Sequence, residues 1–175
     1  MMKYLALFFY YSFFRFLLVS STPLCGRVFE FLRQKICSRI FLELKSHANI
    51  EQYAHFGTGF KIKIGTYSSI GKNCKVPNNI QIGDYVMMGN NVTIFSSTHN
   101  FEKIDVPMLK QGISSRKEPF IMEDDVWIGQ DVIIMPKVTR LAKGTIVGAG
   151  SIETKDFPEY SIIAGNPARL IRRRA

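Results

Sequence analysis

His99 is the side chain of this sequence best suited to moving a proton. It is the only histidine beyond position 55. An imidazole titrates near pH 6.5, so it can take a proton from a hydroxyl at neutral pH. It opens residues 95–121, a polar stretch that also holds Asn100, Pro107, Gly112 and Pro119. A loop of that length between regular segments usually carries function. A solvated surface histidine is the competing reading. Asn90, Asn91 and Asn100 are the polar groups for contacts around such a site. Glu102 and Glu118 could orient the imidazole, with nothing to choose between them. His47 and His55 form no regular cluster with His99, so no metal is expected. Cys25, Cys37 and Cys74 are too few and too scattered for a disulfide framework, which favours a reducing compartment. Cys74 is expected as a buried free thiol.

The elements that must position these groups differ sharply in charge. The chain of 175 residues carries a net +9. Within residues 1–46, Lys3, Arg15, Arg27, Arg33, Lys35, Arg39 and Lys45 face only Glu30 and Glu43. Residues 169–175 hold Arg169, Arg172, Arg173 and Arg174 and no acid. The body between, 47–168, is balanced. A nucleic-acid binder would be basic along its length, so no nucleic acid is expected. Three segments follow: a hydrophobic and amphipathic helical segment 1–46, a body 47–168 with its loop 95–121, and a basic tail 169–175.

Residues 4–19, YLALFFYYSFFRFLLV, are apolar apart from Ser12 and Arg15. As a helix they would be about 24 Å long, too short to span a bilayer. No small-x-small cleavage site follows, as a secretory signal would need. After a break at Ser20–Pro23, residues 24–45 read as an amphipathic helix, with Leu24, Val28, Leu32, Ile36, Ile40 and Leu44 stepping by four. Two uses select such a stripe. One is a monotopic anchor on an anionic membrane; the other is a cap packed on the body or across an oligomer interface.

The body keeps a beat of six. Ile64, Ile70, Val76, Ile82, Met88 and Ile94 recur at that interval, and Ser68, Cys74, Ile80, Val86 and Val92 follow four places after the first five. Glycine comes next to the aliphatic at Gly65, Gly71, Gly83 and Gly89. The beat resumes over 122–152, with Arg140 as one inserted residue expected to bulge outward at a corner. Neither a helix nor a simple strand has this period. Three short strands per coil, joined by tight turns, make a triangular prism with the first and fifth positions inward. The glycines are expected to let the backbone turn at the corners without a Cβ clash. Each inward aliphatic contributes roughly 1.5–3 kcal/mol.

These hexads, together with VMMGNNVTIFSSTHNF (86–101), DDVWIGQDVIIMP (124–136) and GTIVGAGSIETKDFPEYSIIAGNPARLIR (144–172), resemble the hexapeptide-repeat acyltransferases. The resemblance spans about residues 50–172 and is closest to the maltose, galactoside and polysaccharide O-acetyltransferases. It implies an all-β core, a left-handed parallel β-helix of hexapeptide repeats, assembled as a homotrimer with acetyl-CoA between neighbouring coils. His99 matches the family's catalytic histidine. Trp127 and Gln130 match residues at the acyl-CoA groove, although a smaller serine stands at the latter position in the galactoside enzymes. Ala149 matches a backbone contact to the pantetheine arm. Thr154, Lys155, Arg169 and Arg172 match groups around the CoA phosphates, which demand cationic partners. A merely solvated basic tail is the alternative for the last three. Acceptor contacts do not carry over, because this chain has its hydrophobic segment where the sugar enzymes have another.

The resemblance thus implies an acetyl-CoA-dependent O-acetyltransferase acting on a hydroxyl of a sugar in a surface polysaccharide or its precursor. That carbohydrate acceptor fits the membrane-suited N-terminus, as does a cytoplasmic location, at the inner face of the membrane if that segment binds lipid. No cysteine or serine stands out as a nucleophile, so direct attack of the acceptor is favoured over an acyl-enzyme. A small soluble acceptor (a free sugar, an antibiotic or serine) is the second reading. A non-catalytic β-helix scaffold is the third.

Overall fold

In the computed structural model, which describes residues 2–174, the hexads wind a parallel β-solenoid with three sheet faces. The first face stacks the strands Glu43–Leu44, Lys63–Ile64, Gln81–Ile82, Ile121–Met122 and Arg140–Leu141. The second stacks Met87–Met88, Trp127–Ile128, Ile146–Val147 and Ser161–Gly165, with the Asn49–Ile50 and Ser69–Ile70 pair beneath, joined through Ser69 N–H to Val86 O. The third stacks Thr93–Ile94, Ile133–Ile134 and Ile152–Glu153. Registers keep the period of six, so Ile128 lies between Met88 and Val147, and Ile134 lies between Ile94 and Glu153. Every first-position aliphatic is buried, as is every fifth-position residue from Ser68 to Ser151. Cys74 is enclosed with them, and burial pushes its thiol up to about 11.

The corners work differently from the expectation. The left-handed backbone falls two residues after the glycines, at Tyr67, Asn73, Tyr85, Asn91 and Asp131, and at the matching Asp125, which follows Glu123 instead. Asn and Asp tolerate that region well and tyrosine does not. The tyrosines are held by stacking: His47 lies flat on Tyr67 at 4.5 Å, and Tyr67 on Tyr85 at 5.7 Å. The glycines serve the close approach of successive coils instead. A Cβ on Gly65 would lie 2.3 Å from Gly83 O. Arg140 also departs from the expected corner bulge. It sits in register opposite Ile121 and pairs with Glu123 at 3.0 Å, while the Asp156 carboxylate accepts the Thr139 and Arg140 N–H groups of the extra residue's turn.

Two helices cap the N-terminal end: α1 (Met2–Ser12) and α2 (Gly26–Ile40). The second is shorter than the predicted 24–45. Leu24 takes φ 68°, and Phe41 is extended. Leu42 N–H then bonds Ile62 O, because strand pairing at Glu43–Leu44 outcompetes another helical turn. Arg33 fastens α2 from the buried side. Its Nε donates to Ile50 O at 2.6 Å, its Nη1 to Leu17 O and Leu18 O, and its Nη2 to Glu51. The tail is a strand, Ala168–Arg173, folded antiparallel onto Ser161–Gly165. The loop is closed at its base by antiparallel strands, Ser97–His99 and Ile113–Ser115.

Candidate functional site

An open groove of about 500 Å³ runs along the second face, lined by Asn90, Trp127, Gln130 and Ala149 over the glycines 89, 129 and 148. Trp127 is an outward residue of its strand and half exposed, so its ring forms an apolar wall. The floor follows from the glycines. A Cβ on Gly129 would stand 2.5 Å from the Ala149 nitrogen, and one on Gly89 would stand 2.6 Å from the Gln130 nitrogen. Hydrogen in place of a side chain is what lets successive coils come this close beneath the groove.

Among the described residues, the N–H groups of Asn90, Gln130 and Ala149 have no acceptor. The neighbouring corner of the same coils shows the contrast. There Thr66 N–H is capped by Asp84, Asp84 N–H by Asp124, and Lys143 N–H by Glu123. One corner of the prism is thus sealed by carboxylates while the other presents a column of free donors. Unpaired backbone donors hold a ligand's carbonyl or phosphate oxygens well. The difference is visible in the sequence as Asp84 and Asp124 against Asn90, Gln130 and Ala149, a signal the repeat pattern alone did not reveal.

The basic residues divide between two places. Arg169 lies in register with Ala164, the residue whose Cβ a side chain on Gly148 would touch at 2.9 Å, and Arg172 with Ile162. Both are exposed on the strand that closes the grooved sheet. Thr154 and Lys155 follow the Ile152–Glu153 strand of the third face instead. Lys155 Nζ lies 5.5 Å from the Phe157 ring. They are therefore not on the grooved sheet of their own chain.

His99 also belongs to the third-face side, on the loop that leaves after Thr93–Ile94. Its side chain is exposed and, among the described residues, makes no hydrogen bond. Neither Glu102 nor Glu118 pairs with it. Asn100 next to it is spent on the loop: its N–H bonds Gly112 O and its amide donates to Gln111 O at 2.9 Å. Asn91 belongs to a corner ladder, accepting from Asn73 and donating to Asp131 at 2.8 Å. Asn90 alone of the three lines the groove. The loop's return is pinned by Arg116, unremarked in the sequence, which donates to Pro136 O at 2.8 Å and to Val138 O and lies over Phe120. His47 stacks on Tyr67, and His55 packs beside Tyr11.

Known proteins share this plan. Residues 61–96 match the family model described as bacterial transferase hexapeptide (six repeats). A galactoside O-acetyltransferase of Lactococcus lactis is 32% identical over 145 residues, covering 81% of this chain and 67% of the relative. A maltose O-acetyltransferase from Clostridium difficile 630 superposes with a TM-score of 0.74 at 28% identity, over 98% of this chain and 86% of that one. A hexapeptide-repeat acetyltransferase from Vibrio cholerae, solved with acetyl coenzyme A, superposes with a TM-score of 0.71 at 26% identity, over 82% and 77%. With its hexad solenoid and its uncovered groove, the chain belongs to the hexapeptide-repeat acyltransferase family.

Proposed function

We propose that this chain moves an acetyl group from acetyl-CoA to a sugar hydroxyl, at sites each built from two copies of a homotrimer. The column of free N–H donors at Asn90, Gln130 and Ala149 carries this reading. A pantetheine arm alternates amides with apolar methylenes. The donors suit its carbonyls, and the Trp127 ring suits its methylenes. Arg169 and Arg172 at the end of the same sheet suit the phosphates of the nucleotide. Lys155 and Thr154, on another face, would reach the same phosphates from a neighbouring copy.

His99 lies on a different face from the groove of its own chain, which argues for a neighbour's loop completing each site. The exposed apolar side chains on that loop, Phe101, Ile104, Met108 and Leu109, suit burial against a second copy. In that arrangement the His99 imidazole takes the acceptor's hydroxyl proton as its oxygen attacks the thioester carbonyl. A C–O bond forms and the C–S bond breaks. The imidazolium returns the proton to the departing thiolate, so the products are an ester and free coenzyme A. Uncovered N–H groups near the carbonyl would stabilise the developing oxyanion.

For the acceptor we favour a sugar within a surface polysaccharide or its lipid-linked precursor. The sugar part is supported by relatives named for galactoside and maltose. The polymer part is supported by the apolar N-terminal segment of this chain. Purified protein should be given acetyl-CoA with galactose, maltose or a lipid-linked saccharide, and products read by mass spectrometry. The expected result is an acetyl ester chiefly on the lipid-linked saccharide. Transfer to the free sugars alone would remove the polymer from the proposal. A folded protein that releases no coenzyme A with any acceptor, and that acetyl-CoA does not stabilise against heat, would end it.

A further inference from the structure

Helix α1 buries one side and leaves the other bare. Ala6 and Tyr10 face the solenoid, where Tyr10 Oη donates to Ala54 O at 2.9 Å and Tyr11 Oη to Gly57 O at 3.0 Å. The opposite side exposes Leu5, Phe8 and Phe9, and the following turn adds Phe13 and Phe16. Phe8 is 64% exposed and Phe13 56%. Large side chains at helical spacing on one outer row are costly to leave in water. Neither the groove nor His99 uses them.

We propose that this row docks on an anionic lipid bilayer, with α1 lying in the plane of the headgroups. Charge selects that occupant. The first carboxylate in the chain is Glu30, so α1 and the turn after it carry cations only. Arg15 stacks on Tyr11 and Phe16 at 5.4 and 5.5 Å, with its Nε unpartnered, and Lys3 lies over Phe60 at 5.7 Å. Among the described residues, neither cation has an ion pair. Two copies meeting through this row would bring like charges together with no counter-charge. An anionic headgroup layer supplies the counter-charge and the apolar depth at once. Eleven residues of helix measure about 16 Å, half the hydrocarbon thickness, so the element lies on a membrane rather than crossing it. No helix among the described residues is long and apolar enough to span one. Only the nature of the acceptor carried by that bilayer rests on the proposed function; lipid binding itself does not.

The test is sedimentation of the full chain with vesicles of phosphatidylcholine alone, or of phosphatidylcholine mixed with phosphatidylglycerol. The expected result is binding to the mixed vesicles, weaker binding to the neutral ones, and release by salt. Phe8→Ser combined with Phe13→Ser should lower partitioning about a hundredfold, near tenfold for each partly immersed ring. Its melting temperature, and any acetyl transfer to a free sugar, should be unchanged. Full-length protein that stays folded in the supernatant overturns the proposal. So does equal binding to both vesicles, or a double variant whose assembly mass falls, which would make the row a contact between copies. Intact lipid binding with no acetyl transfer would sink the enzymatic reading alone.

Discussion

Replacing Glu153 with valine should stabilise the protein, and by more at high pH than at low pH. Glu153 occupies an inward first position in the ladder Ile94–Ile134–Glu153 and is 0% exposed. Neither carboxyl oxygen has a hydrogen-bond partner among the described residues. Burial, reinforced by the Asp156 carboxylate, pushes its pKa from 4.5 up to about 8. A carboxyl raised on folding holds its proton in the native state after the unfolded chain has lost it. Its contribution to stability is therefore complete below pH 4.5 and is lost as pH rises through 8. Each pH unit in that window is worth about 1.4 kcal/mol, so the loss is about 3 kcal/mol at pH 7 and about 5 kcal/mol above pH 9. Glu153→Val removes the titration together with the unpartnered group, which alone costs about 1–3 kcal/mol. Thermal melts of both proteins at matched concentration from pH 5 to pH 8.5 read the difference. The gap in melting temperature should widen by roughly 6–12 °C between pH 5 and pH 7. Glu153→Gln should show the same flat pH dependence as valine. A gap that does not change with pH would refute the reasoning, because the lone carboxyl would then not be the titrating group.

Four further perturbations probe other parts of the account. His99→Ala should lower turnover about 10²–10⁴-fold while acetyl-CoA still raises the melting temperature. Arg169→Ala should raise the KM for acetyl-CoA about 10–100-fold with a smaller effect on kcat, as measured by coenzyme A release. Gly129→Ala would place a Cβ 2.5 Å from the Ala149 nitrogen, so it should cost about 1–3 kcal/mol of stability and weaken acetyl-CoA binding by calorimetry. Arg33→Met should destabilise by about 3–5 kcal/mol in urea, because Glu51 and three carbonyls lose the guanidinium that holds α2 to the solenoid.

The solenoid could be read from the chain because its coils bury side chains at fixed intervals, and hydrophobicity records burial. That record is silent wherever hydrogen bonds decide. The carboxylate caps of Asp84 and Asp124 look like ordinary surface acids until the coils are stacked. The end of α2 differs from the expectation because Leu44 suits either a helical stripe or the first strand, and only pairing with Ile64 decides. The glycines were legible as essential but not for what they do, since close approach between coils has no local signature. Glu153 falls on the beat of six, yet its charge hides it from a search for aliphatics. The groove residues Trp127, Gln130 and Ala149 gather as the family wording suggests, whereas Asn91 is engaged in a ladder of corner side chains and Asn100 in holding the loop backbone. The proposed meeting of His99 with the groove would need a second copy, and no pattern within one chain encodes such a contact.

Mixing two inactive variants tests that meeting most directly. His99→Ala removes the proposed base, and Gly129→Trp is placed to fill the groove. Unfolded together, refolded and assayed for acetyl-ester formation, they should regain about a quarter of wild-type turnover, as expected when one intact loop meets one intact groove by chance in random assemblies. Activity that stays at the level of the separate variants, in assemblies shown to be mixed, would contradict a site shared between copies.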